Sequence, residues 1–76
     1  MKITEEKVVA YVVEVEDGMG DTMEFRYPSF LDAFKAYQRS KDNNPKMRIE
    51  EFIYQRKGKI TELKVNKRYL DLEEVR

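Results

Sequence analysis

The residues of this sequence that could do chemistry lie mostly in its second half, where basic side chains alternate with aromatic rings. Basic groups neutralise phosphates and exposed rings stack on bases, so this pattern is typical of a nucleic-acid-binding surface. The predicted contacts are Tyr54, Arg56, Lys57, Lys59, Lys67, Arg68 and Tyr69. The same segment also holds Glu50, Glu51 and Glu62, and mixed-charge hairpins commonly serve as solvated sheet edges. Nucleic-acid binding is therefore the alternative function rather than the leading one.

Catalytic and metal-binding groups are scarce, because the sequence contains no histidine and no cysteine. The commonest general base, the commonest metal ligand and every thiolate are thereby missing. Acidic residues cluster between Glu14 and Glu24, but their spacing matches no calcium loop, and acidic residues are common in turns. Ser29 and Ser40 have no histidine to activate them. We expect no enzyme activity, catalytic residue, cofactor, metal or small-molecule substrate.

The composition indicates one small folded domain spanning residues 1–76, with 41% hydrophobic and 39% charged residues. The net charge is zero, yet residues 1–34 contain three basic and eight acidic residues, so the halves carry opposite charge. Such an asymmetry suggests that surfaces carry the function. No apolar run is long enough to span a membrane and no signal peptide is evident, so we expect no membrane partner. With no cysteine, a cytoplasmic location is expected.

The first half of the chain predicts two strands and a helix. Residues 8–16 are rich in β-branched residues, residues 17–21 contain two glycines suited to a hairpin loop, and residues 22–27 alternate strictly. Ser29, followed three residues later by Asp32, resembles a capping box and predicts a helix that begins at Phe30 and ends near Ser40.

The second half is ambiguous between two structures. Residues 45–57 could form a second helix, but a strand followed by a turn at Lys57-Gly58 explains more residues, including the apolar alternation of residues 61–65. That strand needs a β-bulge near Glu50-Glu51, because Met47 and Ile49 are out of phase with Phe52 and Tyr54. A turn at Asn66-Lys67 would precede residues 68–72, as a short last strand or a segment packed on the sheet edge. We therefore predict an α+β fold of order ββαββ, with a four-stranded, mainly antiparallel sheet and one helix on one face.

One helix covers one face of a sheet, so the other face becomes the candidate site. The aromatic residues predicted to form the core beneath the helix are Phe25, Tyr27, Phe30, Phe34, Tyr37, Phe52 and Tyr54. The apolar residues predicted on the opposite face are Val8, Ala10, Val12, Ile53 and Ile60. Such a face predicts a non-enzymatic protein-interaction module, acting as a homodimer or as an adaptor or inhibitor of a larger protein. Coverage of these residues by lysine and arginine stems is the alternative.

Overall fold

A computed structural model describes residues 3–72 as one antiparallel sheet with a single helix packed on it. The strands are β1 (Ile3–Glu16), β2 (Thr22–Tyr27), β3 (Lys46–Lys57) and β4 (Ile60–Leu70), and the helix α1 (Phe30–Arg39) is followed by a 3₁₀ turn at Lys41–Asn43. The strand order is β2-β1-β3-β4. The predicted ββαββ fold is confirmed. Among the described residues, no helix is long and apolar enough to cross a membrane.

Two tight turns connect the hairpins. Residues 17–21 join β1 to β2, with Gly18 and Gly20 at positive φ, while the Asp17 carboxylate accepts hydrogen bonds from the N–H groups of Met19 (2.7 Å) and Asp21 (3.2 Å). Gly58 and Lys59 alone join β3 to β4. Gly58 has φ of 60° and Lys59 is not at positive φ, which is the pattern of a type II′ turn. The positions of both connections agree with the sequence prediction.

Helix α1 begins and ends close to the predicted positions. The Ser29 hydroxyl accepts a hydrogen bond from the Asp32 N–H at 3.2 Å and so caps the first turn. At the other end, the Ser40 N–H donates to the carbonyl groups of Ala36 and Tyr37. Ala33 and Ala36 are the buried residues of the helix, which lets its backbone approach the sheet closely.

The hydrophobic core lies between α1 and one end of the sheet. It is built from Val13 and Val15 of β1, Ala33 and Ala36 of α1, and Met47 of β3. Partly buried side chains surround it: Tyr11, Tyr27, Tyr37, Leu70 and Leu72. Phe30, Phe34 and Tyr37 stack along the helix, with neighbouring ring centroids 5.7 and 6.3 Å apart. The core is therefore small and confined to one end of the molecule.

The structure of the second half of the chain contradicts three predictions. Residues 46–57 form a strand, so the alternative second helix is wrong. The β1–β3 register runs without interruption from Ile3↔Lys57 to Glu14↔Lys46, so no β-bulge occurs near Glu50-Glu51. Strand β4 continues through Asn66 and Lys67 to Leu70, so the predicted turn there is also wrong.

The unbroken register decides which face each side chain of β3 occupies. Paired residues of neighbouring strands share a face, and successive residues alternate between faces. Met47 and Ile49 therefore lie on the helix face with Val13, whereas Phe52 and Tyr54 lie on the opposite face with Val8. The prediction that Phe52 and Tyr54 belong to the core beneath the helix is wrong, because it required the bulge.

The Ser29 cap can be tested against a nearby serine. We expect Ser29→Ala to lower the free energy of unfolding by about 1 kcal/mol, because the Asp32 N–H loses its partner. Ser40→Ala is the matched control, since the Ser40 side chain makes no capping hydrogen bond, and we expect a change within about 0.5 kcal/mol. Urea unfolding at one fixed protein concentration measures both. Equal losses in the two variants would contradict the role of the cap.

Candidate protein interface

The helix covers only part of the sheet, which leaves the molecule elongated. The chain has a radius of gyration of 15.7 Å and a longest extent of 52 Å. A compact domain of this length has a radius of gyration of about 11 Å. The excess comes from β1, β3 and β4, which continue past the end of α1. Residues 3–9 of β1 and 51–57 of β3 therefore form a part of the sheet that no other described element covers.

An apolar patch lies on this uncovered part, on the sheet face opposite α1, which we call the open face. Val8 pairs with Phe52 and Phe52 with Val65, while Tyr54 of the next row pairs with Leu63. The apolar patch therefore consists of Val8, Phe52, Tyr54, Leu63 and Val65. All except the half-buried Phe52 are exposed, with Leu63 the most exposed at 52%. Three strands thus present adjacent apolar side chains to the surroundings.

The helix face of the same strand segments is mixed, with Val9, Ile53 and Ile60 among charged and polar side chains. Lys7 forms an ion pair with Glu51 at 2.6 Å, and Gln55 donates a hydrogen bond to Glu5 at 3.2 Å. Glu62 and Lys64 of β4 lie on this face too. Beneath α1, by contrast, the helix face is apolar. The main group of apolar side chains therefore lies on the helix face beneath α1 and on the open face at the other end of the strands.

The predicted interface residues divide between the two faces. Val8, Ala10 and Val12 lie on the open face, as predicted. Ile53 pairs with Lys7 and Ile60 pairs with Lys57, which places both on the helix face. The prediction that they share a face with Val8 is wrong, because it depended on the same bulge. Val12 is fully buried and so contributes no exposed surface.

Next to the apolar patch, the open face carries a group of charged and polar side chains with the buried Arg48 and Glu50 at its centre. This ionic cluster comprises Glu14, Glu24, Arg26, Arg48, Glu50, Lys67 and Tyr69. At its centre the Arg48 guanidinium, only 4% exposed, donates to Glu14, to Glu24 at 3.0 Å and to Glu50 at 3.1 Å. One cation thus binds three carboxylates from three different strands.

Tyr69 closes the cluster on the side of β4. Its hydroxyl donates a hydrogen bond to Glu14 at 2.7 Å, and its ring centroid lies 6.0 Å from the Arg48 guanidinium carbon. The hydrogen bond to Glu14 raises the pKa of Tyr69, because the bond stabilises the protonated hydroxyl. The ring therefore serves as part of the cover over Arg48.

Glu50 is the most deeply buried charge of the cluster, with 1% exposure. Burial by itself would raise the pKa of Glu50, but the hydrogen bond from Arg48 and the charges of Arg48, Arg26 and Lys67 outweigh it and lower the pKa. Burial would likewise lower the pKa of Arg48, and its bonds to Glu24 and Glu50 raise it instead. Both groups are thus held in their charged forms.

One oxygen of Glu50 remains without a hydrogen bond among the described residues. Arg26 Nε lies 3.3 Å from Glu50 Oε1, which is close enough for an ion pair, but the donor is not aligned for a hydrogen bond. Lys67 Nζ approaches the other oxygen, Oε2, at 3.6 Å. The charge of Glu50 is therefore balanced by several cations, although its hydrogen-bonding capacity is only partly used.

The residues predicted to contact nucleic acid do not form one surface. Tyr54, Arg56, Lys67 and Tyr69 lie on the open face, whereas Lys57 and Arg68 lie on the helix face. Lys59 is in the turn between β3 and β4. Lys67 and Tyr69 already bind acidic partners within the ionic cluster.

A metal site is not formed by the acidic residues of the cluster. Within residues 3–72, no three acidic side chains are grouped so that they could hold a metal ion. The space between Glu14, Glu24 and Glu50 is instead occupied by the Arg48 guanidinium, which neutralises them.

The apolar patch contains four residues that the sequence reasoning did not assign to the interface: Phe52, Tyr54, Leu63 and Val65. The alternation of residues 61–65 was visible, with Leu63 and Val65 apolar and Glu62 and Lys64 charged. It showed that β4 has one apolar face but not which side of the sheet that face occupies.

Comparisons with known proteins add no assignment, since the chain matches no protein-family model, no curated protein and no solved structure.

The charge of Glu50 predicts a pH-dependent stability. At neutral pH we expect Glu50→Gln to lower the free energy of unfolding by about 1–3 kcal/mol, because Arg48 loses a charged partner. The pKa of Glu50 is lower in the folded chain, so its contribution is present above the unfolded pKa and is lost as the pH falls through the folded pKa. The difference between wild type and Glu50→Gln should therefore shrink below about pH 4.

Urea unfolding of both proteins between pH 3 and pH 7 measures this difference. Glu51→Gln is the matched control, because Glu51 is the neighbouring carboxylate on the opposite face and pairs only with the exposed Lys7 among the described residues. A Glu50→Gln difference that stays constant across the pH range would contradict the assignment.

Proposed function

We propose that this chain is a non-enzymatic protein-interaction module that packs its open face against the open face of a second copy. The observation that carries the proposal is the apolar patch on the open face, on strand segments that no other described element covers. Beyond the end of α1, five adjacent apolar side chains from three strands alternate toward the open face, whereas Val9, Ile53 and Ile60 on the helix face each lie beside charged side chains. A segment exposed to water on both faces has no physical need for that alternation.

Covering the apolar patch supplies the driving force. Removing apolar surface from water is worth about 25 cal/mol per Å², and a large side chain contributes on the order of 1.5–3 kcal/mol when fully buried. The described chain buries only six apolar side chains: Val12, Val13, Val15, Ala33, Ala36 and Met47. A core of this size leaves much of the apolar surface of a small domain exposed. Packing two sheets together adds the apolar patch of each copy to the buried surface.

The margin of the apolar patch favours a second copy as the partner. Glu6 borders the patch on β1, while Arg56 and Lys67 border it on β3 and β4. A two-fold related copy presents the same patch and the same margin, so apolar groups meet apolar groups and charges of both signs are available on each side. A margin of one sign would instead favour a partner of the opposite charge, such as nucleic acid.

Leu63 provides a direct test of the proposal. We expect Leu63→Glu to weaken the face-to-face association on the order of 100-fold, because each dimer then buries two unpaired carboxylates. The control is Asn66→Glu, which adds the same charge to the helix face of the same strand. Sedimentation velocity over a dilution series measures the association constants, and far-ultraviolet circular dichroism verifies that both variants fold.

Methyl NMR identifies the surface that is buried. On dilution of the wild type, the methyl signals of Val8, Leu63 and Val65 should shift, while those of Val13 and Val15 in the core stay fixed. Unchanged patch signals over the whole series, or equal association of Leu63→Glu and wild type, would overturn the proposal. Salt-dependent binding of labelled RNA or DNA by the wild type, lost in Arg56→Glu, would favour the nucleic-acid alternative.

A further inference from the structure

Strand β4 forms one outer edge of the sheet and is long. It contains 11 residues, and no further strand lies beside it among the described residues. It has no proline, and its register with β3 is continuous from Ile60 to Leu70. An edge of this kind presents a row of unpaired N–H and C=O groups, which is a template for pairing with another strand.

The turn between β3 and β4 determines which residues offer those groups. In a two-residue hairpin, the residues that flank the turn exchange hydrogen bonds, so Lys57 and Ile60 form a hydrogen-bonded pair. Hydrogen-bonded and non-hydrogen-bonded pairs then alternate along the ladder. The residues of β4 whose N–H and C=O groups point outward are consequently Thr61, Leu63, Val65, Lys67 and Tyr69.

We propose that β4 pairs antiparallel with β4 of a second copy, centred on Val65, to form a continuous eight-stranded sheet. A two-fold axis perpendicular to the sheet requires one residue to pair with itself, because paired residues must share a face. With Val65 at the axis, all residues from Ile60 to Leu70 find a partner. Val65 also directs its N–H and C=O groups outward, so the central pair is a hydrogen-bonded one.

The side chains are complementary in this register. Glu62 lies opposite the partner's Arg68, and the symmetry produces this opposite-charge pair twice. Ile60 lies opposite the partner's Leu70, and Val65 lies opposite its own copy. The remaining pairs join Thr61 to Tyr69, Leu63 to Lys67 and Lys64 to Asn66. No two like charges face each other.

The neighbouring registers are worse. Moving the axis to Lys64 places two lysines directly opposite each other. Moving it to Asn66 places Lys64 opposite the partner's Arg68, again twice. Like charges directly opposite destabilise a strand pair. The lysines that would discourage other pairings are thus compatible with the Val65-centred one, in which Lys64 faces Asn66 and Lys67 faces Leu63.

Edge pairing through β4 is a different contact from the face-to-face packing proposed above. It would place the two apolar patches side by side across the axis, because Val65 belongs to the patch of each copy. Two such eight-stranded sheets could then pack open face to open face, giving a tetramer with three perpendicular two-fold axes. Either contact can exist without the other, so their tests are separate.

Charge reversal at Glu62 and Arg68 tests the edge pairing. Both residues are on the helix face, and neither forms an ion pair within residues 3–72, so reversal leaves the open face and the monomer's own pairs unchanged. Glu62→Arg or Arg68→Glu alone places like charges opposite each other twice and should weaken the edge dimer about tenfold or more. An equimolar mixture of the two variants, or the double variant, should restore it.

Native mass spectrometry with one variant isotope-labelled distinguishes the mixed dimer from the self-paired ones. The Leu63→Glu background is used for all of these proteins, because it disrupts face packing yet places a carboxylate opposite the partner's Lys67 in the edge dimer. A monomer in this background, or equal self-association of all variants, would overturn the edge pairing. A loss of association caused by Leu63→Glu but not by charge reversal would overturn it while supporting the face proposal.

Disulfide trapping gives a second readout that places no like charges opposite each other. The sequence has no cysteine, so Glu62→Cys and Arg68→Cys each introduce a single thiol. In the proposed register these positions form a non-hydrogen-bonded pair with Cα atoms about 4.5 Å apart, which a disulfide can bridge. Mild oxidation should link the two variants when they are mixed and neither variant alone. Crosslinking that is equal in the separate and mixed samples would contradict the Val65-centred register.

Discussion

The mismatch in length between the helix and the strands governs the rest of this structure. A ten-residue helix is about 15 Å long, whereas the 14 residues of β1 extend about 46 Å. The helix can therefore cover only one end of the sheet. At that end the apolar side chains point toward α1 and form the core. At the other end no described element covers the helix face, and most of the apolar side chains, among them Val8, Phe52 and Leu63, point toward the open face. The short helix thus accounts for both the small core and the apolar patch.

The ionic cluster occupies the part of the open face that lies behind the core. There the helix face already takes the apolar residues Val13 and Met47, so the alternation of each strand turns Glu14, Arg48 and Glu50 to the other side. Their burial is balanced because Arg48 binds three carboxylates and because Arg26, Lys67 and Tyr69 surround them. Breaking a buried pair costs more than forming it gains, so the cluster depends on all its members being present.

Local signals in the sequence predicted the strands, the helix and the turns well. They predicted less well which face of the sheet each side chain occupies. Ser29, the glycines of the first loop and the Lys57-Gly58 turn each act over a few residues, and each was interpreted correctly. The orientation of β3 was not, because the prediction placed Phe52 and Tyr54 beneath the helix and introduced a bulge to bring Met47 and Ile49 into phase with them. Whether Phe52 lies under the helix depends on where α1 ends relative to β3, which is a tertiary relation. The same relation determines which face of the sheet Ile53 and Ile60 occupy. The ionic cluster could not be predicted from the sequence, because its members come from four different strands.

The position of the ionic cluster also limits how another sheet could slide over this one. The apolar patch ends at the row of Ala10, Glu50 and Lys67, and a sheet displaced along the strands toward the helix would cover Glu50 and Arg48 without supplying new partners. Desolvating those charges costs free energy, so a shift along the strands in that direction is unfavourable. Uniformly apolar sheets lack such a barrier to sliding and can stack in many alignments. Stacking of this kind leads to fibrous aggregates. The buried charges of this small protein therefore favour finite assemblies over open-ended ones.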